Sequence, residues 1–152
     1  MPSEDRPYRI AASPTYLARA IAARSYVNLK RALQPHGLAP TAWRVLASLH
    51  ERDGRNIADL AEHTATDRSN LGRAIDAMAA DGLIDRRPAP RDRRNTLIFM
   101  NDKGHRQYAA VLPVVRNISS GLLNGMTDDE ANLALDLLKR MLVNAQSVAS
   151  AE

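Results

Sequence analysis

Asp85-Arg86-Arg87-Pro88-Ala89-Pro90-Arg91-Asp92-Arg93-Arg94 is a basic run set between two short apolar segments, Leu83-Ile84 and Thr96-Leu97-Ile98-Phe99-Met100. Residues 86–94 hold five arginines and one aspartate, a net charge of +4, which equals the net charge of all 152 residues. The excess positive charge of the chain therefore sits in one short segment. The flanking residues are β-branched and aromatic enough to predict two strands, Leu83–Asp85 and Thr96–Met100, joined by the basic run. The result is a β-hairpin whose tip faces something anionic. Nucleic acid fits, because neutralising phosphates releases counterions and gives sequence-independent affinity. Taken alone, the run is equally well explained as a solvated charged loop.

Upstream, the pattern is helical. Leu71, Ala74, Ile75 and Met78 recur at helical spacing, Asp67 stands where an N-cap belongs, and Gly82 ends the segment. A shorter helix precedes it, from about Ile57 to His63. Another runs from about Pro40 to Arg52, with Trp43, Leu46, Ala47 and Leu49 on its buried side. Asp53-Gly54 is a turn between them. A first helix, from about Pro14 to Leu33, starts at a proline suited to an opening turn and ends at Pro35-His36-Gly37. Downstream, Asn101 or Asp102 caps a helix reaching about Leu123, in which Pro113 is expected to make a kink or a break. Thr127-Asp128-Asp129-Glu130 is a capping box opening a last helix, whose stripe is Leu133, Leu137, Leu138, Met141, Leu142, Ala145 and Val148.

Composition narrows the function. Hydrophobic residues make up 45% and charged residues 25%, ordinary values for one globular domain. There is no cysteine, so disulfides, thiolate metal sites and thiol redox sensing are excluded. No apolar run approaches the roughly 20 residues that span a bilayer. Residues 1–9 carry no secretory h-region, so a cytoplasmic location without membrane attachment is expected. His36, His50, His63 and His105 are scattered without metal-ligand spacing, and neither a phosphate-binding glycine loop nor a nucleophile elbow is present. Neither an enzyme, a metal nor a cofactor is expected.

A short helix, a tight turn, a second helix with an exposed first turn, and a hairpin with a basic tip follow one another in the order of a winged helix-turn-helix. The first and last helices are apolar over stretches too broad for a small three-helix core, which favours a partner chain. At this point the chain resembles the MarR family of transcriptional regulators. The resemblance rests on Trp43-Arg44-Val45-Leu46, Ile57-Ala58-Asp59-Leu60-Ala61, Asp67 to Arg73, Asp81-Gly82-Leu83-Ile84, Asp92-Arg93-Arg94 and Asp102-Lys103-Gly104, and spans about residues 14–148. It implies a mainly α fold with a small β-hairpin wing. The expected parts are a flexible N-terminus (1–13), a dimerisation helix (14–36), a DNA-binding winged-helix lobe (37–101) and further dimerisation helices (102–150). It also implies a homodimer on a palindromic operator in double-stranded DNA, released by small anionic aromatic compounds. Three departures stand out: Ala39-Pro40-Thr41 where the family usually caps with threonine or serine, Asn101 where it has threonine, and Ala65 where it commonly has glycine.

Roles carry over by position. Asp67 caps the recognition helix. Arg68, Ser69 and Asn70 form its exposed first turn and are the candidates for base edges, since Arg bonds guanine and Asn bonds adenine bidentately. Arg73, one turn on, is a candidate for a base or a phosphate. Arg94 resembles the wing arginine that enters the minor groove, with Asp92 to hold its direction. Arg86, Arg87, Arg91 and Arg93 are candidate phosphate contacts, with Asp85 a possible intramolecular partner for Arg86 and Arg87. Asp76 and Asp81 read as ordinary surface residues. For an aromatic carboxylate effector, the resemblance points to Trp43, Arg44 and His50 on the second helix with Arg19 and Tyr26 on the first. The sequence leaves two other classes open: an architectural nucleic-acid binder of low specificity, and a winged-helix protein–protein module.

Overall fold

A computed structural model describes residues 7–90 and 92–149, without the side chains of Asp92, Arg93, Val148 and Ala149, and these described residues form six α-helices, two 3-10 turns and three strands. In order the α-helices and strands are α1 (Pro14–Leu33), α2 (Pro40–Glu51), β1 (Arg55–Asn56), α3 (Ile57–Thr64), α4 (Arg68–Ala80), β2 (Ile84–Ala89), β3 (Asp92–Met100), α5 (Asp102–Gly121) and α6 (Asp128–Ala149). The fold is mainly helical with a small antiparallel sheet, as the sequence predicts.

Helix boundaries follow the local chemistry. Asn56 and Asp67 cap α3 and α4 by accepting the backbone N–H groups of Asp59 and Asn70, at 2.8 and 2.9 Å. Gly37, at φ 64°, closes the 3-10 turn that ends α1. Asn101 caps α5: its Oδ1 accepts the Gly104 N–H at 3.0 Å, while its amide donates to the Gly82 carbonyl at 2.9 Å. The capping box at Thr127 and Glu130 is formed in both directions. Ala39 caps α2 without a side-chain bond, and Pro40 follows at the first position, where no amide is needed. Helical residues run unbroken through Pro113, so the break allowed for there does not occur.

The sheet differs from expectation in two ways. The strands reach into the basic run, because hairpin pairing continues through Arg86↔Ile98, Arg87↔Leu97 and Pro88↔Thr96 before a bulge at Pro88/Ala89. Arg86, Arg87 and Arg94 thus stand on the strands. The sheet also has a third member, β1, paired with β3 through Arg55↔Ile98 and Asn56↔Leu97. Gly54 allows this closure: its N–H donates to the Ile98 carbonyl, and a Cβ there would lie 2.9 Å from the Phe99 ring.

The chain divides into two units, one ending at Arg116 and the other beginning at Asn117. The first holds the core. Leu33, Leu46, Leu60, Leu71, Ile75, Ile98 and Val111 are fully buried, so one apolar cluster joins the end of α1, the helix-turn-helix, the hairpin base and α5. Gly104 lets α5 meet the hairpin, since a Cβ there would fall 2.2 Å from the Leu83 carbonyl oxygen. The second unit holds the end of α5 and α6, whose described residues bury no apolar side chain.

Candidate nucleic-acid interface

The first turn of α4 is built from its cap outward. Asp67 takes the Asn70 N–H, and this bond holds its carboxyl below the ordinary value of 3.8. The Asn70 side-chain amide also donates to Asp67, and the Arg73 guanidinium donates to the Asn70 amide oxygen. Asp67, Asn70 and Arg73 therefore form a line along the exposed side of α4. Arg68 and Ser69 are exposed beside it, while Leu71, Ile75 and Met78 anchor the opposite side in the core. The three candidates for base edges, Arg68, Ser69 and Asn70, and Arg73, the candidate for a base or a phosphate, are all exposed to solvent.

The turn that delivers this helix carries backbone strain. Ala65 sits at φ 49°, the single positive-φ residue other than glycine among the described residues. Its N–H donates to the Glu62 carbonyl, and the Thr66 N–H donates to the Ala61 carbonyl. The departure from glycine noted in the sequence thus falls at a left-handed position.

On the wing, neighbouring arginines leave the sheet on opposite faces, as strand alternation requires. Arg87 lies with its guanidinium carbon 4.5 Å from the Phe99 ring centroid and reaches Asp85 at 3.5 Å. Arg86 does not share that partner: its guanidinium donates to Asp76 of α4, ten residues back. Asp76, read from sequence as an ordinary surface residue, is therefore an ion-pair partner of the wing. The reason is tertiary, because the turn at 81–83 folds β2 back beside α4. Arg94 is exposed on β3. Arg91 and the side chains of Asp92 and Arg93 lie outside the described residues, so the expected Asp92–Arg94 pairing does too.

The five effector candidates are not gathered in one place. Tyr26 lines a groove of about 430 Å³ with Lys30, Gln34, Gly37, Leu38, Ala39 and Pro40, between the end of α1 and the start of α2. Arg19 is exposed two turns earlier on α1, and Arg44 is half-buried on α2. Trp43 and His50 turn instead to Tyr108 of α5. The Trp43 ring stacks on Tyr108 at 5.2 Å between centroids and 3° between planes, and His50 stacks at 4.2 Å and 22°. Tyr108 escaped the sequence reading. Trp43 and His50, seven residues apart on one helix stripe, were the available signal that one ring could serve both. Among the described residues, no three histidine or acidic side chains are placed to hold a metal ion.

Comparison with known proteins bears on this geometry. Residues 36–95, which run from the end of α1 to the wing, match the model of the MarR family. A MarR-family transcriptional regulator from Silicibacter pomeroyi shares the fold at TM-score 0.81, with 28% identity, covering 91% of this chain and 96% of that one. The winged-helix stretch thus matches the MarR family, and the chain is similar in sequence and fold to that family's regulators. MarR-family proteins are transcriptional regulators, so the family is not one of enzymes. Another similar protein is the HTH-type transcriptional repressor IacR of Pseudomonas putida, 24% identical over 89% of this chain and 81% of its own length. BpsR of Bordetella bronchiseptica, whose DNA binding is regulated by 6-hydroxynicotinic acid, shares the fold at TM-score 0.81 and 21% identity, covering 90% of this chain and 97% of its own. None of the described helices is long and apolar enough to cross a membrane.

Proposed function

We propose that this chain acts in the cytoplasm as a homodimeric, sequence-specific DNA-binding repressor of the MarR family, released by a small aromatic or anionic ligand. The observation that carries the reading is the exposed first turn of α4, where Arg68, Ser69 and Asn70 stand open to solvent, with Arg73 one turn on bonded to Asn70 and an arginine-bearing wing beside them. The N-terminal turn of such a helix enters the major groove, where all four base pairs are distinguishable. Arg94, with Arg91, Asp92 and Arg93, supplies the wing contacts, and Arg87 adds a phosphate contact at its base.

Dimerisation is supported by unmatched apolar surface. Tyr16, Leu17, Ile21 and Val27 of α1 are 40% to 53% exposed, and Leu133, Leu137, Leu138, Met141 and Leu142 of α6 are 39% to 63% exposed. A monomer rarely leaves so much apolar surface in water. A second copy covers it and presents two recognition helices with twofold symmetry, suiting a palindromic operator. For the effector, the groove at Tyr26 and Lys30 offers a ring and a cation to an aromatic carboxylate. Release requires that the ligand bind the DNA-incompetent arrangement more tightly.

The test is binding to a fluorescent duplex from the region upstream of its own gene, against a scrambled duplex, at two salt concentrations. Tighter binding to the native duplex that persists at the higher salt supports the regulator. Equal binding to both that salt erases points to the architectural alternative.

A further inference from the structure

Arg86 and Asp76 form a contact that the base-reading and phosphate-binding roles leave unexplained. Arg86 pairs across the hairpin with Ile98, which is fully buried, and lies two residues from Ile84, also buried. By strand alternation its stem leaves β2 on the face that packs toward α4, whereas Arg87 leaves on the other face with Phe99 and Asp85. Its guanidinium reaches the carboxylate of Asp76, in the middle of the recognition helix. An unpaired carboxylate there would repel the phosphates that flank the groove.

We propose that Asp76 is a positioning residue for DNA recognition: it anchors Arg86, fixes the wing against the recognition helix, and withholds Arg86 from phosphate. This rests on the DNA-binding reading above. The chain between the two residues turns at 81–83, and the ion pair closes that turn from outside. Side-chain exposures of 40% and 70% set the size of the effect. An exposed pair shifts an equilibrium by roughly fivefold at most, so the brace tunes the wing and does not hold the fold.

The experiment uses duplexes selected from a random-sequence pool by the wild-type protein, with scrambled duplexes as control. Asp76→Asn, Arg86→Gln and the double variant are compared. Each single change is expected to lower the ratio of selected to scrambled affinity roughly two- to fivefold, with the double variant no worse than either. Arg86→Gln is expected to keep the wild-type dependence of log affinity on log salt. A slope shallower by about 0.9, with equal loss on both duplexes, would make Arg86 a phosphate ligand and overturn the proposal. Additive losses in the double variant would overturn it as well. The brace is also read without DNA, from the NMR signals of the Arg86 guanidinium. Slow rotation in the wild type and fast rotation in Asp76→Asn support it, and identical signals in both overturn it. A held guanidinium in a protein that selects no duplex would defeat the DNA-binding reading and, with it, the positioning role.

Discussion

Two amphipathic helices of this chain, α4 and α6, begin alike and end in different surroundings. Each starts at a carboxylate-assisted cap, Asp67 for α4 and the Thr127–Glu130 box for α6. Helix α4 sends Leu71, Ile75 and Met78 into the core, each no more than 2% exposed. Helix α6 carries a longer leucine-rich stripe and leaves Leu138 at 48% and Leu142 at 63% exposed. Amphipathicity alone therefore does not say where a helix finds its apolar partner. The partner of α4 is within the chain, and under the dimer reading that of α6 is in a second copy.

The strongest way to break this contrast is to place charge on α6. Leu138→Glu combined with Leu142→Glu is expected to weaken dimerisation by about 4 kcal/mol, near a thousandfold. Sedimentation should then show monomer, and binding to a two-half-site duplex should fall with it. An unchanged dimer would place the interface elsewhere. The matching change on α4 is Ile75→Ala, expected to cost about 3 kcal/mol through lost burial and a cavity. Its melting temperature should drop by the same amount at every protein concentration, whereas any effect of α6 variants should depend on concentration.

A smaller change sharpens the contrast at the entry to α4. Ala65→Gly relieves the left-handed strain while loosening the unfolded chain, for a net gain of roughly 0.5 kcal/mol in denaturant unfolding. A loss there would mean that the strain at φ 49° costs little. The smallest effect concerns the shared caps. The Asn70 N–H lowers the Asp67 carboxyl and the Thr127 N–H lowers that of Glu130, from ordinary values of 3.8 and 4.5. A carboxylate lowered by folding stabilises above its unfolded value and stops doing so as pH falls through its folded one. Asp67→Asn and Glu130→Gln should therefore be less stable than wild type at neutral pH and converge with it in acid. A gap that persists in acid would locate the loss in shape and not in charge.

Most of the helical frame was legible because its signals are local. Caps, glycine stops and three- and four-residue apolar spacings need no knowledge of the rest of the chain. What escaped was tertiary. Strand β1 is two residues long and exists only because Gly54 lets Arg55 and Asn56 reach β3. The reach of β2 and β3 into the basic run follows from backbone pairing, which is indifferent to the charge of Arg86 and Arg87. Asn70 and Arg73 meet on α4 because they stand three residues apart, a spacing the helical period makes neighbours. The effector candidates did not assemble, because Trp43 and His50 were claimed by Tyr108, a residue some sixty positions away that no spacing rule connects to them.

The line from Asp67 through Asn70 to Arg73 has a consequence for the energetics of recognition. Three side chains that would otherwise sample several rotamers are steadied by one another before any ligand arrives. Ordering a mobile side chain on association costs about 0.5–1.5 kcal/mol. Here part of that entropy loss occurs during folding and is shared by every sequence the helix meets. A tethered surface of this kind associates with a smaller entropic barrier and, under the DNA-binding reading, discriminates by which base edges suit the arrangement already present.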